Sequence, residues 1–430
     1  MFWEKDIETA SRQTLSQLQF SRLRETLTQL SHKSEFYQKK FRELGVSLDS
    51  IRSLDDVRRL PFTTSADLRA QYPDKLNIVD KDHLLRLHTS SGTTGKPKAL
   101  FFSRKDIETL TNNFARCLTM VGCTPKDVFQ NMMTYGLFTG ALMSHYGAER
   151  VGMLAIPAGP GNSERQLMLM QDFGTTVAHA TPSYALYFAN FVEKKGLDPA
   201  KDISLRILLV GAESYTEETR RKIEKTFDAD VFNCYGLSEM GGPGVGFECP
   251  AKKGIHLWED TYLVEIIDPD TLEVLPPGEV GELVITSINR EAMPILRYRT
   301  GDLTRIIPEP CPCGRTHVRV DRLKGRADDM IIVKGANIYP QQIERVLMET
   351  EGVGRNYLIH LQGLDEMIIK VELDANAFDG QVSKLENMQK SITERIRSEV
   401  QVKPVIELLA PGTLPVSEGK TKRVIDDRSL

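Results

Sequence analysis

The period of the apolar positions changes along the chain, and each change predicts a different kind of structure. Over residues 1 to about 80, apolar side chains recur at helical spacing, as at Leu18, Leu23, Leu27 and Leu30, so this region reads as helical. From about 84 to 240, short apolar runs alternate with amphipathic segments. Candidate strands cover 84–88, 99–102, 151–156, 206–210 and 231–235, and one intervening helix opens at Ser163 with Gln166 three residues on, the spacing of a capping box. Such alternation predicts helices packed on a largely parallel sheet. Between about 255 and 310 the period becomes two, in 262–267 and 282–288, broken by Asp268-Pro269-Asp270 and Pro276-Pro277-Gly278, which predicts a β-rich subdomain. After Asp328 come a short apolar run, a helix over 340–351, strands near Tyr357 and Ile368, a helix over 383–400 and a strand over 405–409. The expected fold class is therefore α/β. A large N-terminal domain, 1–327, carries a helix-covered, mostly parallel sheet with a β-rich subdomain, and a small separate α+β domain follows over 328–430.

Composition narrows the partners more than the fold. With 55 basic against 59 acidic residues and no long block of one sign, nucleic acid and anionic membranes are poor candidates. The acidic start, Met1-Phe2-Trp3-Glu4-Lys5-Asp6, lacks the pattern of a signal peptide, and no apolar run is long enough to span a bilayer, so a cytoplasmic location is expected.

The chemistry begins at Thr89-Ser90-Ser91-Gly92-Thr93-Thr94-Gly95-Lys96-Pro97-Lys98. Its glycines let backbone N–H groups turn toward an anion, the hydroxyls add donors, and Lys96 and Lys98 supply positive charge, as a polyphosphate requires. The spacing differs from the common P-loop, because Gly92 precedes Gly95 by three residues and Pro97 follows the lysine, which disfavours a kinase or GTPase. Flanked by strand-like runs, the segment reads as a tight loop that binds a nucleoside triphosphate.

Further motifs follow in a fixed order: Tyr235-Gly236-Leu237-Ser238-Glu239, Tyr298-Arg299-Thr300-Gly301-Asp302, Gly325-Arg326-Ala327-Asp328-Asp329-Met330, Lys334-Gly335-Ala336-Asn337-Ile338-Tyr339-Pro340 and Ser417-Glu418-Gly419-Lys420. Together with the phosphate loop they resemble the adenylate-forming superfamily of acyl-CoA synthetases, adenylation domains and luciferases. Within it, Tyr135-Gly136-Leu137-Phe138-Thr139-Gly140, His145-Tyr146-Gly147-Ala148-Glu149-Arg150, Gly211-Ala212-Glu213 and Leu60-Pro61-Phe62-Thr63-Thr64 are similar to the phenylacetate-CoA ligases. The resemblance implies an enzyme that activates a carboxylate with ATP, releases diphosphate, and passes the acyl group from AMP to coenzyme A.

Each motif has a place in such a reaction. Ser90, Ser91, Gly92, Thr93, Thr94, Gly95 and Lys98 suit the phosphates, and Glu239 suits Mg2+ as a hard ligand. Tyr235 offers a ring for adenine beside Gly236 and Ser238, Asp302 can accept from the ribose hydroxyls, and Gly211, Ala212 and Glu213 end an apolar strand where the base would lie. The resemblance maps Lys420 onto the lysine that bridges the attacking carboxylate and the α-phosphate, Asp328 onto a hinge, and Arg326 onto the nucleotide; Lys334, Gly335 and Asn337 fall in the loop expected to form a thiol channel. Tyr135, Phe138 and Pro243 belong to segments resembling the aryl-acid pocket, so a compact aryl acid such as phenylacetate is the expected substrate, with indoleacetate or a benzoate-type acid as alternatives.

The cysteines fall into two kinds. Cys117, Cys123 and Cys234 lie in apolar stretches and read as small hydrophobes. Cys249, His256, Cys311 and Cys313 are four soft donors, two of them in a knuckle-like Cys311-Pro312-Cys313-Gly314 turn, which invites a structural tetrahedral Zn2+. Two other readings stay open at this stage, an adenylation domain that charges a carrier protein and a zinc-bearing nucleic-acid binder; a homodimer is a further open possibility.

Overall fold

The computed structural model describes residues 1–89, 96–327, 329–334, 336–363, 366–374, 377, 382–415 and 422–428. Two compact units emerge, one of Met1–Gly159 with Phe232–Arg322 and one of Pro160–Val231 with Leu323–Leu430. The fold is mixed α/β with parallel strands in a large sheet and a small α+β portion at the C-terminal end of the chain.

In the first unit, Ser11 caps the helix Arg12–Lys33 by accepting from the Thr14 N–H, and Leu15, Leu23, Leu27 and Leu30 form its buried stripe. The expected phosphate-loop strands are an antiparallel hairpin, Leu84–Thr89 with Ala99–Ser103, in which His88 faces Leu100 and Thr89 faces Ala99. Ser103 and Asp106 then form a reciprocal capping box on the helix Arg104–Met120. Strands Val128–Asn131 and Leu154–Ile156 run parallel, joined across the helix Thr139–Val151. The strand is shorter than the expected 151–156 because Val151 still belongs to the helix. Gly147 has a packing reason: a Cβ there would meet the Phe114 ring 2.6 Å away, so its absence lets the two helices approach.

Strand Asp230–Leu237, from Phe232 onward, pairs antiparallel with Gly242–Glu248, which continues through Ile255–Leu257 and Arg319–Val320 to Ile306–Ile307. The period-two region forms the antiparallel strands Tyr262–Ile267, Gly281–Ser287 and Tyr298–Thr304, as alternation predicts.

In the second unit, strands Val177–Ala180 and Ile207–Gly211 run parallel among the helices Ser163–Phe173, Pro182–Lys194 and Glu217–Phe227. The cap of the first helix corrects the expectation. Asn162 is the N-cap and accepts from the Arg165 N–H, while Ser163 is already helical, so the cap lies one residue earlier than expected and is a single bond, with Arg165 in place of the box's acceptor. The C-terminal portion centres on the antiparallel pair Val353–Gln362 and Glu366–Leu373, flanked by the parallel strands Val424–Asp426 and Val405–Leu409. Helices Pro340–Met348 and Val382–Val400 cover a core of Val333, Ile343, Leu347, Ile359, Val371, Ile392 and Ile406. Among the described residues, no helix is long and apolar enough to cross a membrane.

Candidate active site

Lys98 immediately precedes the second hairpin strand, and its Nζ contacts Oε1 of Glu239, which sits on the short helical turn Ser238–Met240. The two side chains are only 12% and 6% exposed. The same carboxylate oxygen accepts from the Tyr298 hydroxyl at 3.0 Å. Arg290 ties this arrangement to the hairpin: it donates to the Glu239 carbonyl and, at 3.1 Å, to the Phe101 carbonyl, and its guanidinium lies 4.5 Å from the Phe102 ring. Burial pushes the pKa of Arg290 down, a cost that nearby Asp106, Tyr262 and Glu239 counteract. A lysine expected to face phosphate and a carboxylate expected to face a cation thus compensate one another.

Tyr235 is buried and donates its hydroxyl to Asp302 Oδ2 at 2.7 Å, while the Asp302 N–H is held by Thr300 Oγ1 at 3.0 Å. Gly236 is demanded by the strand beside it, because a Cβ would fall 2.0 Å from the Gly242 carbonyl oxygen. Ser238 accepts from Thr139 Oγ1 at 3.2 Å, linking this motif to the end of the segment 135–139.

That segment carries the expected acid wall. The Tyr135 oxygen accepts from Asn131 Nδ2 at 3.0 Å and lies 3.2 Å from His145 Nδ1. His145 Nε2 lies 3.0 Å from Glu149 Oε1, which can only accept, so Nε2 carries a proton and Nδ1 of the neutral ring accepts from the phenol. Burial raises the Tyr135 pKa to about 12, so the phenol stays protonated and its ring is held in one orientation. Phe138, 39% exposed, precedes the helix that begins at Thr139, and Pro243 faces Gly236 across the strand pair.

Elsewhere in the same unit, the donor atoms of Cys249, His256, Cys311 and Cys313 all lie within 4.8 Å of one another. Cys249 and Cys311 sulfurs are 3.6 Å apart, and Cys313 Sγ is 3.4 Å from His256 Nε2. These separations are far longer than a disulfide. They approach the edges of about 3.8 Å that a tetrahedron with ~2.3 Å zinc–sulfur bonds would have. The two neighbouring thiols raise the His256 pKa against the opposing effect of burial.

In the second unit, Gly211 ends its strand and Ala212 follows at φ +67°, a left-handed conformation unusual for alanine. Glu213 accepts from the Ser183 N–H at 3.2 Å and from Ser183 Oγ at 2.9 Å. Arg326 lies 3.9 Å from Asp329, and Lys334 has φ +50° in the turn before strand Ala336–Ile338, which contains Asn337. Ser90, Ser91, Gly92, Thr93, Thr94, Gly95, Asp328, Gly335 and Lys420 lie outside the described residues. Sequence reasoning missed Arg290, Thr139 and Asn131. Arg290 and Thr139 act through polar contacts made at long range in the chain and Asn131 through nearer ones, and a lone arginine, threonine or asparagine has no spacing signature.

The profile for AMP-binding enzyme matches residues 8–290, and that for the AMP-binding enzyme C-terminal domain matches residues 335–428. Phenylacetate-coenzyme A ligase of Thermus thermophilus is 41% identical over the full length of both chains. Its namesake in Escherichia coli is 39% identical over 99% of this chain and 97% of that one. Among solved structures, 2-hydroxyisobutyryl-CoA ligase in the postadenylation state with 2-HIB-AMP superposes with a TM-score of 0.94 at 28% identity, covering 99% of this chain and 92% of that one. The same ligase with 2-HIB-AMP and CoA in the thioesterification state gives 0.74 at 28% identity, over the same shares of the two chains.

Proposed function

The chain belongs to the AMP-binding enzyme family, and from that premise we propose that it is an AMP-forming acid–thiol ligase acting on an aryl acetic acid, with phenylacetate as substrate. The observation that carries this reading is the full-length identity of about 40% to phenylacetate-coenzyme A ligases. In the first half-reaction a carboxylate oxygen attacks the α-phosphorus of ATP, the bond to the bridging oxygen breaks, and diphosphate leaves with the electron pair. In the second, the coenzyme A thiol loses its proton and attacks the acyl carbonyl, and AMP departs.

The residues fit the charges this sequence develops. Lys98, already poised against a carboxylate, is suited to exchange Glu239 for phosphate oxygens. Glu239 would hold Mg2+, whose role when bound is to neutralise the departing diphosphate. Tyr235 would stack on adenine while Asp302 accepts from the ribose, with Gly211, Ala212 and Glu213 on the base and Arg326 on the nucleotide. Lys420 would meet the charge shared by carboxylate and α-phosphate, and Asp328 would be the hinge of a lid over 328–430 that withdraws that lysine before Lys334, Gly335 and Asn337 receive the thiol. Tyr135, Phe138 and Pro243 would wall the aryl ring. Cys249, His256, Cys311 and Cys313 would hold a structural Zn2+, and the enzyme would work in the cytoplasm.

The test is ATP–pyrophosphate exchange driven by a panel of aryl acids, followed by addition of coenzyme A. Phenylacetate should support exchange and then yield its thioester with AMP. Absence of exchange with every aryl acid would overturn the reading.

A further inference from the structure

His88 is fully buried and is not one of the residues to which the ligase reading gives a role. Its Nδ1 lies 3.1 Å from the Leu137 carbonyl, and the N–H of the next residue, Thr89, donates to the same oxygen at 2.9 Å. A carbonyl can only accept, so Nδ1 carries the proton, and both lone pairs of Leu137 O are engaged by consecutive residues of one strand. Burial lowers the His88 pKa and keeps the ring neutral. The ring is further held edge-on to Phe102, 5.5 Å between centroids. Nε2 is buried without a hydrogen-bond partner among the described residues, so the Leu137 bond is the ring's one polar anchor there.

The position of this bond gives it a consequence. Leu137 lies between Tyr135 and Phe138, the acid wall, and its side chain is exposed, so the segment is positioned there by its backbone rather than by burial of Leu137. His88 and Thr89 face Leu100 and Ala99 across the hairpin, one residue from Lys98, which pairs with Glu239. The other end of the acid segment is tied to the same region, through Thr139 and Ser238. The acid wall is therefore fastened at two points, to the hairpin strand whose partner begins beside Lys98 and to Ser238, the residue before Glu239.

We propose that His88 is a positioning residue that couples the acid pocket to the nucleotide site, so that occupation of either site by its anionic ligand, aryl acetate or ATP, favours occupation of the other. This deepens the ligase reading and rests on it. The experiment measures the dissociation constant of α,β-methylene-ATP, which cannot release diphosphate, with and without phenylacetate, by calorimetry on the full-length protein. In the parent each ligand should tighten the other by about 5- to 150-fold, the usual span of site coupling, and by the same factor in both directions. His88→Leu, which keeps bulk but loses the donor, should bring the factor below about 2, by removing most of that coupling. His88→Asn, whose amide nitrogen can occupy the place of Nδ1, should retain most of it. If His88→Leu does not fold, His88→Gln, which offers its donor at the Nε2 position instead, provides the same contrast with Asn. Equal coupling in the Leu and parent proteins, or equal loss in the Asn and Leu (or Gln) proteins, would overturn the role. A parent that supports pyrophosphate exchange but shows no coupling refutes His88 alone, whereas a parent that activates no aryl acid refutes the ligase reading beneath it.

Discussion

Glu239 and Cys313 lie in one compact unit, each within a tight polar cluster, yet burial is resolved differently around them. At Glu239 the charges cancel in place: Lys98 meets the carboxylate, Tyr298 donates to it, and Arg290 holds the main chain beneath. Around Cys313 three sulfurs and an imidazole gather, and every one of these groups is a type that can donate electrons to a metal. A self-compensated cluster can exchange one internal partner for a ligand of the same sign, which suits a site that must bind and release phosphate in every turnover. A cluster of donors without a cation of its own suits permanent occupation by a metal.

Breaking the compensation should produce the largest effect. Glu239→Gln keeps the shape but removes the carboxylate that meets Lys98, and with it the hard ligand proposed for Mg2+. Pyrophosphate exchange should fall about 10³-fold, roughly 4 kcal/mol of transition-state stabilisation. A loss of less than tenfold would mean that the carboxylate only neutralises a structural lysine.

Supplying or withdrawing the metal tests the other cluster. The purified protein should carry one equivalent of zinc, and chelation or Cys313→Ser should lower Tm by roughly 6–12 °C, corresponding to about 3 kcal/mol in a unit of this size. The loss should be felt first at the N-terminus, because the knuckle also holds that segment: Arg315 donates to Glu8 at 2.7 Å, Thr316 N–H to the Glu8 carbonyl at 3.1 Å, and His317 Nε2 lies 2.9 Å from the Ile7 carbonyl. Hydrogen exchange should therefore accelerate in residues 1–10 on chelation. Metal well below one equivalent, or unchanged protection there, would remove the anchor.

These clusters were unequally legible in the sequence. Lys98, Glu239 and Asp302 stand in contiguous motifs, so their grouping could be read, and the structure brings Lys98 to Glu239 and Tyr235 to Asp302. Cys249, His256, Cys311 and Cys313 were legible as a set because soft ligands in a polar turn are rare. What could not be read was the cement. Arg290 reaches two carbonyls, His88 one, and Thr139 a single hydroxyl, all through contacts distant in the chain that any residue spacing would permit. Helix ends slipped by similar logic: Asn162 rather than Ser163 caps its helix because the left-handed turn at φ +47° places the asparagine oxygen over the Arg165 N–H.

A third fate of a buried titratable group is to remain neutral. His179, on the strand Val177–Ala180 of the second unit, is pushed by burial down to about 4 from an ordinary value near 6.5. The unfolded chain therefore binds the proton first as pH falls, so the stability this group permits is complete above about 6.5 and is lost on the way to 4. Between pH 7 and pH 5 the parent should lose about 2 kcal/mol more stability than His179→Gln, measured by denaturant unfolding at each pH. Parallel pH profiles for the two proteins would show that the ring is stably protonated or already solvated.

The smallest effect is expected inside the compensated region, where one neutral donor can be removed without disturbing charge. Tyr235→Phe keeps the ring proposed to stack on adenine and deletes only the hydroxyl that donates to Asp302 at 2.7 Å. The carboxylate should then lose the hydroxyl that orients it while retaining its charge, and the Asp302 N–H should keep its bond to Thr300 Oγ1. A hydrogen bond to a charged acceptor is worth about 1.5–3 kcal/mol when buried, and water entering the vacated space would restore part of it. The KM for ATP should accordingly rise by roughly tenfold, with kcat changed much less, because the ribose contact is made equally before and during the chemical step. Deoxy-ATP supplies the decisive control. If Asp302 reads the sugar, removing the 2′-hydroxyl should cost the parent enzyme more than it costs Tyr235→Phe, and an equal penalty in both would detach Asp302 from the ribose.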